Sequence, residues 1–149
     1  MIDINLHQYK DQLKIKKEGN SIFIFDLIRK KYIVLQPEEL VRQLLILHLI
    51  KIGYPKEKIQ VEKGLNVNGL RRRFDVVVFD QKFLPYLLVE CKSHTVPISQ
   101  DTFDQIANYN IELRAPYLLV TNGIQTFCSE LNFENKNITN LSAIPQIKK

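Results

Sequence analysis

Two stretches in the middle of the chain decide its fold. Residues 71–80 read Arg-Arg-Arg-Phe-Asp-Val-Val-Val-Phe-Asp, and residues 86–92 read Tyr-Leu-Leu-Val-Glu-Cys-Lys. Their β-branched and aromatic residues predict two strands, and the short connection between them predicts an antiparallel hairpin. Because both strands are apolar almost without interruption, we expect the hairpin to lie at the centre of a sheet that is covered on both faces.

Helical patterns flank this hairpin on both sides. The first begins at Pro37 and continues to about residue 52, where Gly53 and Pro55 stop it. The second covers residues 100–113, with apolar residues at helical spacing. Further strands are predicted at about 13–35, 59–62 and 117–121, and a loop at 63–69. This order predicts an α/β fold with a central sheet flanked by helices.

Length and composition are those of one globular domain. The chain has 149 residues, of which 45% are hydrophobic and 25% charged, and these values exclude disordered, collagen-like and coiled-coil proteins. We expect a single domain over residues 1–131, with its core at about 36–128. The Asn-rich residues 132–149 have weak periodicity and are expected to form a loose polar tail.

The charge and the cysteine content of the chain limit the partners and the cellular compartment that we expect for the protein. Lys and Arg (21) exceed Asp and Glu (16), for a net charge of +5, which permits a polyanionic partner without requiring one. Two cysteines cannot form a disulfide framework, and residues 1–20 lack the apolar core of a signal peptide. The apolar stretch 40–52 is shorter than the ~18 residues of a membrane span. We therefore expect a soluble cytoplasmic protein that does not bind membranes.

Three ionisable side chains interrupt the apolar hairpin. Alternation along a strand places Glu90 and Lys92 on one face and Cys91 on the other, and Asp75 can lie across from Glu90 if the register pairs the two strand ends. Two carboxylates and the Cys91 carbonyl would supply the oxygen ligands that Mg²⁺ prefers. Such a metal lowers the pKa of a bound water and stabilises charge on a phosphoryl oxygen, while Lys92 orients the water or neutralises charge. These residues predict a metal site suited to phosphoryl chemistry.

The residues around this site resemble a known nuclease family. Phe74-Asp75 and Glu90-Cys91-Lys92 stand where the PD-(D/E)XK nuclease superfamily has its two half-motifs, although Phe74 replaces the motif proline. Over about residues 20–125 the chain resembles the N-terminal nuclease domain of type I restriction enzyme R subunits. The segments that carry this resemblance are residues 35–43, 73–80, 88–92, 105–109 and 120–123.

The resemblance implies a restriction-endonuclease-like αβββαβ core with a mixed central sheet. It also implies a nuclease, either an endonuclease or an exonuclease, of a restriction-modification or DNA-processing system that hydrolyses DNA phosphodiester bonds with Mg²⁺ or Mn²⁺. Its metal site would use Asp75 and Glu90, and Lys92 would be catalytic. By the same resemblance the remaining site residues are Glu39, from the first helix, and Gln105 and Tyr109, from the second.

One part of the R subunit has no counterpart in this sequence. No GxxxxGK[ST] phosphate loop occurs in it, so the ATP-driven motor would belong to a separate motor or specificity subunit. The apolar helix at residues 38–52 suggests a homodimer as a further possibility.

Alternative interpretations stay open for each of these groups. Lys92 and one carboxylate could form a structural salt bridge, and the whole chain could be a catalytically silent DNA-binding or protein-interaction module that keeps the nuclease fold. Arg71 and Arg73 share a strand face with Asp75 and could contact phosphates, but such a run is also typical of a solvated edge. Glu39 could simply favour the helix dipole. Gln105 and Tyr109 could belong to the core.

Overall fold

The computed structural model describes residues 1–67 and 69–147, with side chains except those of residues 63, 65, 67, 72, 109, 111 and 112. The described residues form two α-helices, α1 (Pro37–Lys51) and α2 (Gln100–Leu113), two short 3-10 helices at Leu6–Gln12 and Lys56–Lys58, and nine strands. The strands are β1 (Ile15–Glu18), β2 (Ser21–Asp26), β3 (Lys31–Val34), β4 (Ile59–Val67), β5 (Leu70–Phe79), β6 (Pro85–Cys91), β7 (Tyr117–Thr121), β8 (Thr126–Asn132) and β9 (Asn137–Leu141).

The strands form two sheets. The smaller has the order β1-β2-β3, and the larger has the order β4-β5-β6-β7-β8-β9. Neighbours in both are antiparallel, except that β6 and β7 run parallel, as the α2 crossover between them requires. The succession α1, β4, β5, β6, α2, β7 is the predicted αβββαβ core, and the predicted mixed central sheet is confirmed.

The two faces of the central hairpin are both buried. Val76, Val78 and Val89 pack on the α1 side, in one apolar cluster. Val77 and Leu88 pack on the α2 side, in a second cluster. This division explains why residues 76–79 of β5 and 86–89 of β6 are continuously apolar, since alternate residues enter different cores. These apolar segments place Asp75 and Glu90 at the edge of a rigid, largely dry frame.

The ends of the two helices follow from local chemistry. Pro37 occupies the first turn of α1, where its missing N–H is not needed. The Ser99 side chain caps α2 by accepting a hydrogen bond from the Thr102 backbone N–H, and α2 ends where Arg114 adopts the left-handed conformation.

The loop predicted at residues 63–69 is wrong for residues 63–67, while residue 68 lies outside the described residues. β4 continues to Val67 and pairs with β5 as far as Leu70, so this segment is most of a two-stranded ribbon. β6 pairs with β5 only from Val76 onward, which leaves residues 63–74 beyond the three-stranded part of the sheet. Their polar and glycine-rich composition suits a ribbon with exposed surface, because the strand ladder needs no buried side chains to satisfy its backbone.

The loose tail predicted at residues 132–149 is also wrong for most of its length. Residues 137–141 form β9 and pair with β8. The Tyr54 hydroxyl donates to the Pro145 carbonyl at 2.5 Å, and the Tyr86 hydroxyl donates to the Gln146 carbonyl at 2.9 Å. The asparagine-rich composition did not indicate a strand because β9 is an edge strand whose residues are mostly exposed.

The apolar residues of α1 are used within the chain. Val41, Leu45 and Leu49 are buried in the core, and the Leu6–Gln12 helix packs on the same α-helix. This packing removes the reason for expecting a dimer, whose existence stays a prediction. No helix in the described ranges 1–67 and 69–147 is long and apolar enough to cross a bilayer.

Candidate active site

Two carboxylates lie side by side at the ends of β5 and β6. The paired residues of these strands end with Val76 opposite Val89, and the next residues in the same register are Asp75 and Glu90. Here a side chain continues the strand ladder, because Asp75 Oδ2 accepts a 2.6 Å hydrogen bond from the Cys91 backbone N–H. The hairpin register therefore brings the two predicted carboxylates together.

Lys92 joins them on the face that Glu90 presents. Its Nζ lies 3.4 Å from Glu90 Oε1, whereas Cys91, between them in sequence, points into the core and is buried. The Lys92 backbone N–H donates to the Thr121 carbonyl of β7 at 2.8 Å, which anchors the strand end. The side chains of Lys92 and Glu90 are 32% and 26% exposed, so their ion pair is partly solvated and contributes little to stability.

The site raises the pKa of both carboxylic acids. At Glu90, burial is the main cause, repulsion from Asp75 adds to it, and the pKa rises to about 7 despite the opposing charge of Lys92. At Asp75, burial also outweighs the hydrogen bond from the Cys91 N–H, and the pKa is raised. The protonation of Glu90 and that of Asp75 therefore depend on each other. Paired acids in this state are typical of functional sites.

A polar cleft of about 320 Å³ opens in front of Glu90 and Lys92. Strand β5 and its ribbon form one wall, and α2 forms the other. Asp75 does not line this cleft and reaches the site through its bond to the Cys91 N–H. The predicted residues that line it are Arg71, Arg73, Glu90, Lys92 and Gln105, joined by Phe74, Thr102 and Ile106.

The ribbon wall of the cleft is basic. Arg71 and Arg73 are both exposed, and the Arg73 side chain is 73% accessible to solvent. The Arg71 guanidinium lies over Gly64 of β4, where an added Cβ would stand 2.6 Å from Arg71 Nε. A side chain at this position would displace the flexible Arg71 guanidinium from where it lies. Two exposed guanidinium groups beside the carboxylates form a surface suited to a phosphate backbone.

Comparison with known families agrees with this arrangement. The model of the family described as type I restriction enzyme R protein N terminus (HSDR_N) matches residues 37–145. The chain belongs to this family. The matched region of this R-protein N-terminal domain begins with α1 and includes the cleft and both carboxylates, while the β1-β2-β3 sheet precedes it. No curated protein matches the chain.

A solved structure shares the fold of this R-protein N-terminal domain. It is a fragment structure from Vibrio vulnificus YJ016 that is described as an HsdR subunit of a type I restriction enzyme. The two chains are 20% identical with a TM-score of 0.55, and the match covers 75% of this chain and 24% of that one. The chain thus spans about a quarter of the length of that protein.

Glu39, assigned to the site by resemblance, is not brought to the cleft. Both of its carboxylate oxygens accept hydrogen bonds from the Arg42 guanidinium, and Oε1 also accepts one from Gln43 Nε2 at 3.2 Å. Arg42 is buried, and Glu39 neutralises it. Neither the site role that the resemblance implies nor the plain helix-dipole role describes this contact, which the sequence spacing of three does allow.

The helix carboxylate that acts on the site is Glu38. Its negative charge raises the pKa of both Asp75 and Glu90, and its residue is exposed. The sequence places two adjacent glutamates after Pro37, and helical periodicity predicts only that they differ in direction. Which of them faces the site depends on how the helix rotates against the sheet.

The second helix provides one of its two predicted residues. Gln105 lines the cleft opposite the ribbon. Tyr109 belongs to α2, but its side chain lies outside the described residues. Thr102, which sequence reasoning missed, lines the same wall one turn earlier.

The oxygen ligands of Asp75, Glu90 and the Cys91 carbonyl fit a hard divalent cation that needs few ligands from the protein. The described residues contain no group of three or more His, Cys, Asp or Glu side chains placed to hold a metal, but Mg²⁺ commonly uses one or two carboxylates and retains waters. Within a strand, N–H and C=O of one residue point to the same side, so the Cys91 carbonyl lies on the side of Asp75. The mutual repulsion of Asp75 and Glu90 is the kind that a cation relieves.

Proposed function

We propose that this domain is a metal-dependent deoxyribonuclease of the PD-(D/E)XK type, acting in a restriction or related DNA-processing system. The observation that supports it most is the junction of Asp75, Glu90 and Lys92 at adjacent strand ends, where Glu90 and Lys92 line a cleft with an arginine-bearing wall and Asp75 is held behind it by the Cys91 N–H. Membership in the R-protein N-terminal family supports the same proposal.

Each residue has a definable task in this proposal. Asp75, Glu90 and the Cys91 carbonyl would hold Mg²⁺ or Mn²⁺, and the Cys91 N–H keeps the Asp75 carboxylate in place. When bound, the cation supplies a water of lowered pKa and stabilises charge on a phosphoryl oxygen. The Lys92 ammonium group orients the attacking water or neutralises the developing charge.

The walls of the cleft would position the DNA. Arg71 and Arg73 are placed to bind phosphates next to the scissile one, which fixes the strand without reading its sequence. Thr102 and Gln105 present polar groups from α2 on the opposite side. Recognition of sequence and movement along DNA would come from other parts of such a system.

Cleavage of plasmid and oligonucleotide DNA tests the proposal. Purified protein is incubated with duplex, single-stranded and junction DNA in Mg²⁺, Mn²⁺ or EDTA, and the products are resolved by gel electrophoresis. We expect metal-dependent cutting that Asp75→Asn and Glu90→Gln abolish. The matched control is Glu57→Gln, at an exposed position away from the cleft, which should cut at the wild-type rate. Equal cutting by Glu90→Gln would refute the proposal.

The alternative is a silent module that binds DNA or a protein without cutting. The Lys92–Glu90 ion pair of 3.4 Å supports it, because these groups can neutralise each other without a metal. A silent module predicts DNA binding that is the same in Mg²⁺ and EDTA, with no cleavage of any substrate in the panel.

A further inference from the structure

Glu62 lies beside the proposed cation site, on the strand next to β5. Val61 of β4 pairs with Val76 of β5, and one residue further in the same register Glu62 stands opposite Asp75. The row continues to Glu90 on β6. A change in the backbone at Glu62 therefore acts on the strand position that carries the Asp75 carboxylate.

The backbone at Glu62 is strained. Its φ is +48°, in the left-handed region that side chains other than glycine rarely adopt. The other described non-glycine residues with positive φ lie in turns or at a helix end, whereas Glu62 lies inside a strand. Such strain persists only where the surroundings hold it, and it is frequent at functional sites.

Three arginines from three different elements hold Glu62. Its Oε1 accepts hydrogen bonds from Arg42 Nη1 and Nη2 of α1, each at 3.5 Å. Its Oε2 accepts one from Arg29 Nη1 at 3.2 Å and lies 3.9 Å from Arg73 Nη1. Arg29 follows β2, and Arg73 belongs to the ribbon. Glu62 thus joins α1, the small sheet and the arginine wall at the row of Asp75.

Arg29 and Arg42 are themselves fixed. Arg29 Nε donates to the buried Asp26 carboxylate at 2.6 Å, and Arg42 is buried against Glu39. These contacts make the grip on Glu62 rigid. Arg73 is the partner with the most solvent access, so it can move to a phosphate while the other two remain.

We propose that Glu62 is a positioning residue of the site. Its carboxylate, clamped by Arg29 and Arg42, holds β4 in the left-handed bend that aligns Asp75 with the Cys91 N–H. The effect on cleavage rests on the proposed nuclease function, whereas the alignment of Asp75 does not.

Two variants separate the effect of the Glu62 charge from the effect of its backbone conformation. Glu62→Gln keeps the side-chain shape and removes its charge. Glu62→Gly also removes the carboxylate, but glycine adopts the left-handed conformation without strain, so it folds even where the glutamine variant does not. The matched control is Glu57→Gln, an exposed glutamate in the short helix before β4.

Amide hydrogen exchange at Cys91, followed by NMR, is the first measurement. Because the Cys91 N–H donates to Asp75, Asp75→Asn serves as the reference for a perturbed bond. We expect protection at Cys91 to fall about tenfold in Glu62→Gln, to fall less in Glu62→Gly because glycine adopts the bend without the clamp, and to stay unchanged in Glu57→Gln. Unchanged protection in both Glu62 variants would overturn the inference, whether or not the protein cuts DNA.

Cleavage kinetics are the second measurement. We expect kcat to fall about 10–100-fold in Glu62→Gln and less in Glu62→Gly, with KM for DNA unchanged because Arg73 stays available to phosphate. A fall in melting temperature without a change in Cys91 exchange or kcat would mean a purely structural role and would overturn the inference. Loss of Cys91 protection in variants of a protein that cuts no DNA would uphold the positioning role and refute the proposed function instead.

Discussion

Replacing Glu90 by glutamine should remove a pH dependence of stability that the site creates. The pKa of Glu90 is raised from 4.5 to about 7 by burial and by Asp75. For an acid with a raised folded-state pKa, the stabilising contribution is complete below pH 4.5 and is lost as the pH rises through 7. Metal-free wild-type protein should therefore lose stability between pH 5 and 8, and Glu90→Gln should lose less.

The size of this effect follows from the same values. At about 1.4 kcal/mol for each tenfold change, the raised pKa corresponds to at most about 3 kcal/mol. The Glu90 side chain is 26% exposed and shares its proton with Asp75, so we expect about 1–2 kcal/mol. For a chain of this length, that is a difference of roughly 2–8 °C in melting temperature.

Differential scanning calorimetry in EDTA at pH 5 to 8 measures this difference in stability between wild type and Glu90→Gln. Burial lowers the pKa of His48, so that residue contributes the opposite slope below pH 6.5, and the comparison must be made between variants. Glu57→Gln is the control and should follow the wild type. Parallel curves for wild type and Glu90→Gln would refute the raised pKa and the crowding of the two carboxylates.

Three further substitutions test other parts of the structure. Lys92→Ala should change the free energy of unfolding by less than about 1 kcal/mol because the ion pair is partly solvated, but it should slow cleavage about 10²–10³-fold. Lys56→Ala is the control. A collapse of the melting temperature in Lys92→Ala would indicate a structural salt bridge. Arg73→Gln should reduce the slope of log affinity for DNA against log salt by about one, and an unchanged slope would exclude its phosphate contact. Tyr86→Phe removes the hydrogen bond to the Gln146 carbonyl and should cost about 1 kcal/mol by denaturant unfolding; no loss would mean that the C-terminal segment does not pack there.

Sequence patterns predicted the parts of the fold that have a strong period. The helix at residues 100–113 and the strand at 117–121 have the predicted bounds, because a helical apolar stripe and a β-branched run leave little choice. The continuation of β4 over residues 63–67 and the edge strand β9 were missed, since an exposed strand is stabilised by its backbone ladder and its composition resembles that of a loop.

The candidate site divides in the same way. The sequence could predict that Asp75 and Glu90 lie together because one hairpin register relates them. The sequence could not predict the positions of Glu38, Glu62 and Arg42. These positions depend on how α1 rotates against the sheet and on a left-handed residue inside β4. Contacts between elements distant in sequence are outside the reach of local patterns.

Calorimetric titration of Mg²⁺ into the metal-free protein tests whether Asp75 and Glu90 together hold a cation. We expect one site whose heat is present in wild type and in Glu57→Gln, and absent in Asp75→Asn and Glu90→Gln. Binding should weaken as the pH falls below about 7, because protonation of Glu90 competes with the cation. An identical Mg²⁺ heat in wild type and Glu90→Gln, or none in either, would contradict the account.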